Sequence, residues 1–366
     1  MKKNPIGTNG SLAAIITDTH FGAHKNSEWF HEMIIIWAHW LVAECKKRNI
    51  KKLRILGDIF NSRSTVNTRT LNWAIDIILE EFSWFDDIWI IVGNHDAYYK
   101  TSTDVASVNV FKRHKGITVF NEPTMMTDND RSVMVLPWVD KLNDEKWGEI
   151  CQEIQVDKAD ICMGHLEIKS FETHHNSFYT DGVEPENLVD KFTQIYSGHF
   201  HLRQERGNIK YIGCPYQLDW KDFANDKGFY VLNLDTLEDE FIPNNVSPVH
   251  EKYTVQWVLD NAKNPKKLNV KGNWIKLIVD TRECEKEDAD KAYAILSSMN
   301  PFEIRKEVIY GDVETNNVEI DTSKLNNPIG LLFEYLESID SIKATQKKRI
   351  KGIFIDLHDK IKAELK

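Results

Sequence analysis

Short apolar runs separated by amphipathic stripes fill the first part of the chain. Apolar residues recur at helical spacing across residues 30–45 and again across 71–82, which predicts two helices. The resulting β-α-β-α-β order with short connections predicts parallel strands. The three runs that predict these strands are Leu12–Thr17, Leu53–Leu56 and Ile88–Val92.

Strand and helix signals continue to about residue 245. Residues 143–155 predict a helix, and Val105–Phe111 also looks helical. Gly228–Leu234 is interpreted as an alternating strand that lies nearer an edge of its sheet. The remaining predicted strands are Ser132–Leu136, Ala159–Met163, Gln194–Ser197 and Ile209–Ile212.

The pattern changes beyond residue 245. Alternation at residues 253–257 and 302–310, a strand at 274–279 and a helix at 289–299 predict a small α+β module of roughly 60 residues. Residues 311–328 are polar and loop-like, and apolar stripes at 331–339 and 350–361 predict a terminal pair of helices. This pair either folds back on its own domain or docks its stripes on a partner.

Composition narrows the class of protein. The content of 42% hydrophobic and 28% charged residues is that of an ordinary globular chain, and no apolar run of about 18 residues predicts a membrane span. The polar N-terminus lacks the apolar core of a signal peptide. Five scattered cysteines without a C-x-x-C motif favour a reducing compartment, so we expect a cytoplasmic protein without a thiolate metal site.

The net charge of -10 argues against a protein that holds DNA by bulk electrostatics alone. Divalent cations bound at a cluster of carboxylates would supply local positive charge, and a partner subunit could supply more. The charge therefore leaves nucleic acid open as a substrate.

Polar side chains of a metal-binding type follow five of the predicted strands. A lone Gly-Asp is usually a turn, and a lone Gly-His usually contains a satisfied histidine. Recurrence at the carboxyl ends of strands, where open α/β sheets bind ligands, instead predicts one shared site. The candidate metal ligands are Asp18, His20, Asp58, Asn94, His165, His199 and His201.

This mixed set of oxygen and nitrogen ligands suits Mn²⁺, Fe²⁺ or Zn²⁺ rather than a structural zinc. Seven ligands exceed the needs of one ion with an open position. They suit two ions about 4 Å apart that share a carboxylate, the arrangement used for phosphoryl displacement. We assign the shared carboxylate to Asp58, because its strand should lie between the two neighbouring strands.

His95 and Asp96 directly follow Asn94 and are the candidate catalytic residues. Adjacent side chains diverge, so His95 is left to face the substrate, where it would stabilise phosphate oxygens or protonate the leaving alkoxide. Asp96 would hold the tautomer of His95 and raise its pKa. A cap for the segment that follows is the structural alternative for Asp96.

These motifs, in this order, resemble the five signatures of calcineurin-like metallophosphoesterases. Finer features over residues 12 to about 245 are similar to the SbcD-type DNA repair and recombination nucleases, above all to the phage recombination endonuclease subunits. The stretches that carry the resemblance are Asp18-Thr19-His20-Phe21-Gly22, Gly57-Asp58-Ile59-Phe60, Gly93-Asn94-His95-Asp96, Leu136-Pro137-Trp138, Gly164-His165, Gly198-His199-x-His201, Tyr211-Ile212-Gly213-Cys214-Pro215 and Lys227-Gly228-Phe229.

The resemblance implies a layered α/β fold, with β-sheets flanked by helices, a small α+β capping domain and C-terminal helices. It implies a nuclease domain at residues 1–247, a capping or DNA-binding domain at 248–312, and a linker with a helical pair at 313–366. That pair would bind an SbcC-type coiled-coil ATPase subunit, and the protein would act as a homodimer away from membranes.

The resemblance also distributes roles within the site. One manganese ion would be held by Asp18, His20, Asp58 and His201, and the other by Asp58, Asn94, His165 and His199. His95 matches the catalytic histidine of the family. The implied activity is manganese-dependent hydrolysis of DNA phosphodiesters: 3′-to-5′ exonuclease on duplex ends and endonuclease on single strands. Asn61 departs from relatives, which often carry Asp or His there.

Candidate DNA contacts lie close to the predicted site along the chain. Tyr98, Tyr99 and Lys100 directly follow the catalytic stretch, and Arg63 and Arg69 follow the Asp58 loop. The basic run at residues 112–115 could also meet phosphates, but a charge run is usually a solvated face.

Two other functions fit parts of the sequence. The same site could serve a metallophosphatase or a small phosphodiesterase that acts on a substrate other than DNA. Phosphatases of this type carry Asp-Arg-Gly after the Gly-Asp loop and Glu after Asn-His, whereas this chain has Asn61-Ser62-Arg63 and Asp96. A non-catalytic scaffold on a decayed fold is disfavoured, because decay would remove ligands and all seven are present.

Overall fold

The computed structural model describes residues 11–310, 328–338, 342 and 344–364. The polar N-terminus and the predicted linker up to residue 327 lie outside these residues. The chain divides into two compact units. One contains the residues up to Glu251 together with Gly272–Trp274, and the other contains Lys252–Lys271 and the residues from Ile275 onward. The finer division at residues 247 and 312 stays a prediction.

Two sheets form the centre of the first unit, and a short hairpin (β8 and β9) lies beside them. The strands are β1 (Leu12–Ile16), β2 (Lys52–Ile55), β3 (Asp87–Ile91), β4 (Ile117–Phe120), β5 (Thr124–Asp128), β6 (Arg131–Leu136), β7 (Ala159–Gly164), β8 (Glu172–His174), β9 (Ser177–Phe178), β10 (Phe192–Ser197), β11 (Gln204–Arg206), β12 (Ile209–Tyr211), β13 (Gly228–Asn233) and β14 (Asp239–Pro243).

Parallel pairing dominates the middle of both sheets. The first sheet has the order β14-β13-β1-β2-β3-β4, and the second has the order β11-β12-β10-β7-β6-β5. Strands β1 to β4 pair in parallel, which confirms the prediction from the β-α-β-α-β order. In the second sheet, β7 pairs in parallel with both β6 and β10.

Alternate residues of β1 pack into two different hydrophobic cores. Ala13 and Ile15 of β1 point between the sheets, where they join a core that includes Val133 and Ile161 from the second sheet. Ala14 and Ile16 point the other way, into a core shared with helices. Full burial of an isoleucine side chain such as Ile15 or Ile16 contributes about 1.5–3 kcal/mol to folding. The alternation therefore holds the two sheets face to face.

Helices cover the outer faces of both sheets. Helix α1 (Glu28–Lys47) and helix α2 (Thr68–Ile75) pack on the first sheet, and α2 continues through a π-helical turn and a 3₁₀ turn to Trp84. Helix α3 (Asp144–Glu153) and the short helix α4 (Glu186–Val189) pack on the second sheet. The predicted fold class, layered sheets flanked by helices, is confirmed.

Two segments of the first unit differ in detail from the sequence pattern. The segment predicted as helical at residues 105–111 forms only a 3₁₀ turn, Ser107–Phe111, because Ala106 before it is extended. Strand β13 lies one strand in from the edge strand β14 and is buried along its whole length. Its pattern therefore does not mark a solvent-facing side.

A three-stranded sheet has the order β15 (His250–Thr254), β16 (Trp274–Asp280) and β17 (Glu303–Ile309), and all of its residues except His250, Glu251 and Trp274 belong to the second unit. Helices α5 (Val255–Asn261) and α6 (Lys286–Ser298) share a core with this sheet. The extended structure predicted through residue 257 is wrong. The side chain of Thr254 accepts a hydrogen bond from Trp257 N and caps α5, so the helix begins where the alternation suggested a strand.

The predicted terminal pair of helices is confirmed within the described part of the chain. Helix α7 comprises Pro328–Ser338 and helix α8 comprises Ala344–Glu364. Two lysines of α8 contact Glu337 of α7: Lys347 Nζ donates to the Glu337 carbonyl oxygen over 2.8 Å, and Lys351 Nζ donates to Glu337 Oε1 over 2.5 Å.

Candidate metal centre

The seven predicted ligands meet at one edge of the first unit, between the two sheets. Asp18, Asp58 and Asn94 follow β1, β2 and β3 of the first sheet. The histidines come from the second sheet, except for His20: His165 follows β7, and His199 and His201 follow β10. Strand β2 lies between β1 and β3, so Asp58 occupies the central position that the sequence predicted.

The loops that carry the ligands hold strained backbone. Asp18, His20, Asp58 and His199 have positive φ angles of 53°, 46°, 53° and 86°. Residues other than glycine rarely adopt this region, and each instance costs about 1–3 kcal/mol. Backbone hydrogen bonds beyond the strand ends hold these loops: Asp18 N donates to Gly57 O and His20 N donates to Asp58 O, both over 3.0 Å.

Glycines beside the ligands allow close approach of the loops. A Cβ on Gly93 would lie 2.2 Å from Asp58 Oδ1. A Cβ on Gly198 would lie 2.1 Å from Thr17 Oγ1 and 2.9 Å from Asp18 Oδ2. Side-chain carbons essentially never come within 3.0 Å of such atoms. The glycines of the Gly-Asn-His-Asp and Gly-His stretches are therefore required by packing around the carboxylates.

One group of ligands consists of Asp18, His20 and His201. The Nε2 atoms of the two histidines lie 3.0 Å apart. Asp18 Oδ1 lies 3.7 Å from His20 Nε2 and 3.9 Å from His201 Nε2, is buried, and has no hydrogen-bond partner in the described part of the chain. Its other oxygen accepts hydrogen bonds from Thr17 Oγ1 and His199 N, which hold the carboxylate in place.

The second group consists of Asp58, Asn94, His165 and His199. Asn94 Oδ1 lies 2.9 Å from His165 Nε2 and 2.9 Å from His199 Nδ1. Asp58 Oδ2 lies 3.4 Å from His165 Nε2 and 3.9 Å from His20 Nε2, so this carboxylate reaches both groups. His165 Nδ1 lies 2.7 Å from Leu56 O, to which it donates, and this leaves Nε2 for the site.

The pKa shifts show that the cluster favours positive charge. Burial alone would raise the pKa of Asp18, but the hydrogen bond with His20 and the charge of His165 lower it to about 2. The pKa of Asp58 is also lowered well below its usual range: burial would raise it, but the charge of His165, a hydrogen bond with His165, and the charges of His20 and His95 together outweigh burial. Burial would lower the pKa of His165, but Asp58 raises it to about 9.

Two other histidines of the site are neutral near pH 7, the form in which imidazole binds metals. Burial and the charge of His165 lower the pKa of His199 to about 3. Burial and the charge of His20 lower the pKa of His201 to about 4. Ionised carboxylates, an amide oxygen, neutral imidazoles and an unpartnered buried oxygen together fit divalent metal ions.

His95 lies beside the ligand groups, with its ring centroid 4.9 Å from that of His20. Its Nδ1 lies 2.8 Å from the backbone oxygen of Asn61, and its backbone N donates to Asp58 Oδ1 over 2.8 Å. The expected contact of Asp96 with the His95 ring is therefore wrong, because the Asn61 carbonyl takes that place. The side chain of Asn61 is not needed for this contact, because a backbone oxygen makes it.

Asp96 instead ties two loops together. Its buried carboxylate accepts hydrogen bonds from the backbone N–H groups of Gly93, Ile59 and Phe60. Burial and the charge of Asp58 raise the pKa of Asp96 to about 7. The helix-cap alternative is also wrong, because these partners precede Asp96 in the chain.

The candidate DNA contacts lie at different degrees of exposure. Tyr98 and Tyr99 are about half exposed, and Lys100 is exposed beside them. The Arg63 guanidinium lies 5.0 Å from the Trp138 ring, and its Nη1 is buried without a hydrogen-bond partner among the described residues. Arg69 donates to Asn26 O and lies over Trp73, and the basic run at residues 112–115 is exposed.

Sequence reasoning missed two side chains that touch the ligands. Glu167 Oε1 lies 3.6 Å from His199 Nε2. Lys227, which is buried, donates to the His201 carbonyl oxygen over 2.6 Å and to Asp222 Oδ1 over 2.7 Å. Glu167 could have been found from its position two residues after His165, because alternate side chains of an extended segment lie on the same side. Lys227 belongs to the Lys-Gly-Phe stretch that carries part of the resemblance, but the sequence did not indicate which groups Lys227 contacts.

Comparison with known proteins identifies the class of this protein. The calcineurin-like phosphoesterase family matches residues 12–203, the span that contains all seven predicted ligands. The chain belongs to this family of phosphoesterases, as the motifs predicted, and family members use divalent metals.

Individual relatives extend the comparison. The chain is 31% identical over 235 residues to exonuclease subunit 1 of Enterobacteria phage T4, which covers 63% of this chain and 67% of that protein. An archaeal phosphodiesterase matches with a TM-score of 0.34 and 10% identity over 64% of this chain and 99% of its own. A dimetal phosphatase from Danio rerio matches with a TM-score of 0.36 and 11% identity over 61% of this chain and 92% of its own. Among the helices described, none is both long and apolar enough to cross a membrane.

Proposed function

We propose that this chain is the DNA nuclease subunit of an SbcCD-type repair and recombination complex. Seven ligands that meet around the shared carboxylate of Asp58 carry the proposal. The similarity to a phage exonuclease subunit supports DNA as the substrate. The reaction is hydrolysis of DNA phosphodiesters, 3′-to-5′ on duplex ends and endonucleolytic on single strands, in the cytoplasm of a phage-infected host.

Two Mn²⁺ ions are the proposed cofactors. Asp18, His20, Asp58 and His201 hold one, and Asp58, Asn94, His165 and His199 hold the other. When bound, two divalent ions supply Lewis acidity toward water and the phosphate.

His95 supplies the proton chemistry of the reaction. Donation from Nδ1 to the Asn61 carbonyl fixes the ring and leaves Nε2 for the substrate. From there, a protonated His95 stabilises the phosphate oxygens and protonates the leaving alkoxide. Asp96 acts indirectly, because it ties the loop that carries His95 to the loop that follows Asp58.

Arginine, lysine and tyrosine side chains near the site bind the DNA. Arg63 is the best prepared of them, because its buried Nη1 has no partner among the described residues and a phosphate oxygen would satisfy it. Tyr98 and Tyr99 form an edge-to-face pair with centroids 4.9 Å apart and offer exposed rings on which unpaired bases stack. Lys100 contacts phosphates, and Arg69 must leave Asn26 to do so.

The test is cleavage of labelled duplex and single-stranded DNA by the purified chain in Mn²⁺, Mg²⁺ or EDTA. We expect cleavage that requires a divalent metal and is highest in Mn²⁺. His95→Gln should lower the rate by roughly 10²- to 10⁴-fold while two Mn²⁺ remain bound. His39→Gln, an exposed histidine on α1 that pairs with Glu81, is the matched control and should cleave like the wild type.

Two results would contradict this assignment. Full cleavage by His95→Gln would remove His95 from the mechanism. Hydrolysis of bis(p-nitrophenyl) phosphate without any cleavage of DNA would favour a phosphodiesterase with a small substrate.

The terminal helices α7 and α8 are the proposed binding site for an SbcC-type coiled-coil ATPase. Ile353, Phe354 and Ile355 of α8 are exposed by 56%, 40% and 43%, which leaves apolar surface for another helix to cover. The name of the phage relative, a numbered exonuclease subunit, supports a multi-subunit assembly. We also propose that two copies of this chain form a homodimer.

Co-expression with the coiled-coil ATPase tests the partner. Deletion of residues 326–366 and the double variant Ile353→Glu, Phe354→Glu should abolish co-purification, whereas Lys348→Glu on the same helix should not. Unchanged binding after the deletion would refute the proposal. Light scattering of the purified chain, with twice the mass of 42.6 kDa expected, tests the homodimer.

A further inference from the structure

The imidazole ring of His199 can face the site with either of its two edges, so a further contact must select the edge that carries Nδ1. It lies against Phe200 with ring centroids 5.0 Å apart and against His165 at 5.2 Å. These rings restrict the plane of the imidazole, but a half-turn about its last side-chain bond keeps that plane and exchanges nitrogen for carbon at the site. Packing alone therefore does not direct Nδ1 toward Asn94.

For His165, a backbone group selects the orientation of the imidazole ring. Its Nδ1 donates to the carbonyl oxygen of Leu56, which fixes both the tautomer and the ring orientation. For His199, the acceptor beside the outward nitrogen is a side chain: Glu167 Oε1, 3.6 Å from Nε2. The two side chains are only 12% and 18% exposed, so water screens their interaction weakly.

Two side chains hold the Glu167 carboxylate in place. Tyr179 Oη donates to Glu167 Oε2 over 2.9 Å, and Trp138 Nε1 donates to Oε1 over 3.5 Å. A carboxylate that receives these two donors keeps Oε1 on the side of His199. A carboxylate thus contacts the imidazole of a candidate metal ligand. The residues involved lie in three different loops, because Trp138 follows β6, Glu167 follows β7 and His199 follows β10.

We propose that Glu167 is a positioning residue that holds the His199 imidazole with Nδ1 toward Asn94, and thereby sets the affinity of the metal position formed by Asp58, Asn94, His165 and His199. This inference rests on the proposed metal site. The Glu167 carboxylate, with Oε1 3.6 Å from Nε2, favours the neutral ring that carries its proton on Nε2, so the lone pair of Nδ1 is free for a metal ion. It contacts neither the substrate nor the reacting atoms.

Titration of the metal-free full-length chain with Mn²⁺, followed by electron paramagnetic resonance of free Mn²⁺, tests the inference. The wild type should show two bound ions. Glu167→Leu should weaken one of the two by roughly 10- to 100-fold and leave the other unchanged, the range found for outer partners of metal ligands. Tyr179→Phe, which releases Glu167, should weaken the same ion by less.

Glu184→Gln is the matched control. This carboxylate lies on the same connection, pairs with Lys169 over 2.7 Å, and contacts none of the predicted ligands among the described residues. Its two Mn²⁺ affinities should equal those of the wild type. Thermal melting in EDTA checks that all variants are folded.

A second measurement separates positioning from general loosening of the fold. In protein loaded with Zn²⁺ and labelled with ¹⁵N-histidine, the wild-type His199 should be bound through Nδ1 with its proton on Nε2, and Glu167→Leu should show more than one state of this ring. Equal affinities and unchanged His199 signals in Glu167→Leu would overturn the inference and leave the nuclease proposal intact. Failure of the wild type to bind two ions would overturn the metal site and the inference together.

Discussion

Replacement of Gly93 by alanine tests how tightly the loops pack around the shared carboxylate. The new Cβ would lie 2.2 Å from Asp58 Oδ1 and 2.4 Å from the Asp58 backbone nitrogen. Such contacts are not observed below 3.0 Å, so Cβ and Oδ1 must separate by at least 0.8 Å, the difference between 3.0 and 2.2 Å. One of the two loops has to move.

The loss of stability depends on which atoms must move to make room for the new Cβ. The nearest atoms belong to backbone and to a carboxylate that already accepts a hydrogen bond from His95 N, so no flexible side chain absorbs the clash. Overpacking of this kind costs about 1–3 kcal/mol, which lowers the melting temperature by roughly 2–12 °C. Metal–ligand distances tolerate only about 0.2 Å, so displacement of Asp58 should weaken both metal positions by about tenfold or more.

Thermal melting in EDTA measures the first effect, and Mn²⁺ titration measures the second. Gly148→Ala is the matched control, because its Cβ would meet no atom within 4 Å on α3. Alanine there should stabilise the protein by about 0.5–1 kcal/mol. If Gly93→Ala melted with the wild type and bound two Mn²⁺ with unchanged affinity, the close packing described around Asp58 would be refuted.

Three further predictions follow from the described contacts. Arg54→Met leaves Asp128 buried between the sheets with Lys52 as its one remaining charged partner among the described residues, and should cost about 3 kcal/mol in urea denaturation; a loss below about 1 kcal/mol would contradict it. The pKa of Asp160 is lowered mainly by hydrogen bonds from Ser132, so Asp160→Asn should cost about 1 kcal/mol at pH 7. That cost should vanish as the pH falls from about 5 through the folded-state pKa; a constant cost would refute the assignment. Saturating Mn²⁺ at about 100 times Kd should stabilise the wild type by about 2.7 kcal/mol over EDTA, seen as a higher melting temperature.

The meeting of the candidate ligands at one place was predictable, because one physical rule places them. Parallel strands buried on both faces read as continuous apolar runs, so a polar residue at the end of each run marks the carboxyl edge of the sheet. Asp18, Asp58 and Asn94 follow this rule on the first sheet, and His165 and His199 follow it on the second. The central place of Asp58 followed from the order of the strands alone.

Other features depended on contacts between distant segments. The division of the strands between two sheets was not readable, because strands of both sheets are equally apolar. The partners of Asp96 and His95 were also not readable, since both are backbone groups and every residue offers the same ones. Glu167 meets His199 only because β7 and β10 are neighbours, although 32 positions separate the two residues in the sequence.

The position of β1 governs when the cluster can assemble as the chain is made. This strand precedes the other described strands along the chain, yet it lies inside its sheet between β2 and β13, which ends at Asn233. Some hydrogen-bond partners of Asp18, among them the backbone N–H of His199, are therefore translated about 180 codons after it. A nascent or truncated polypeptide that stops before β10 lacks His199 and His201, so the cluster cannot assemble until that strand and the loop after it have been made.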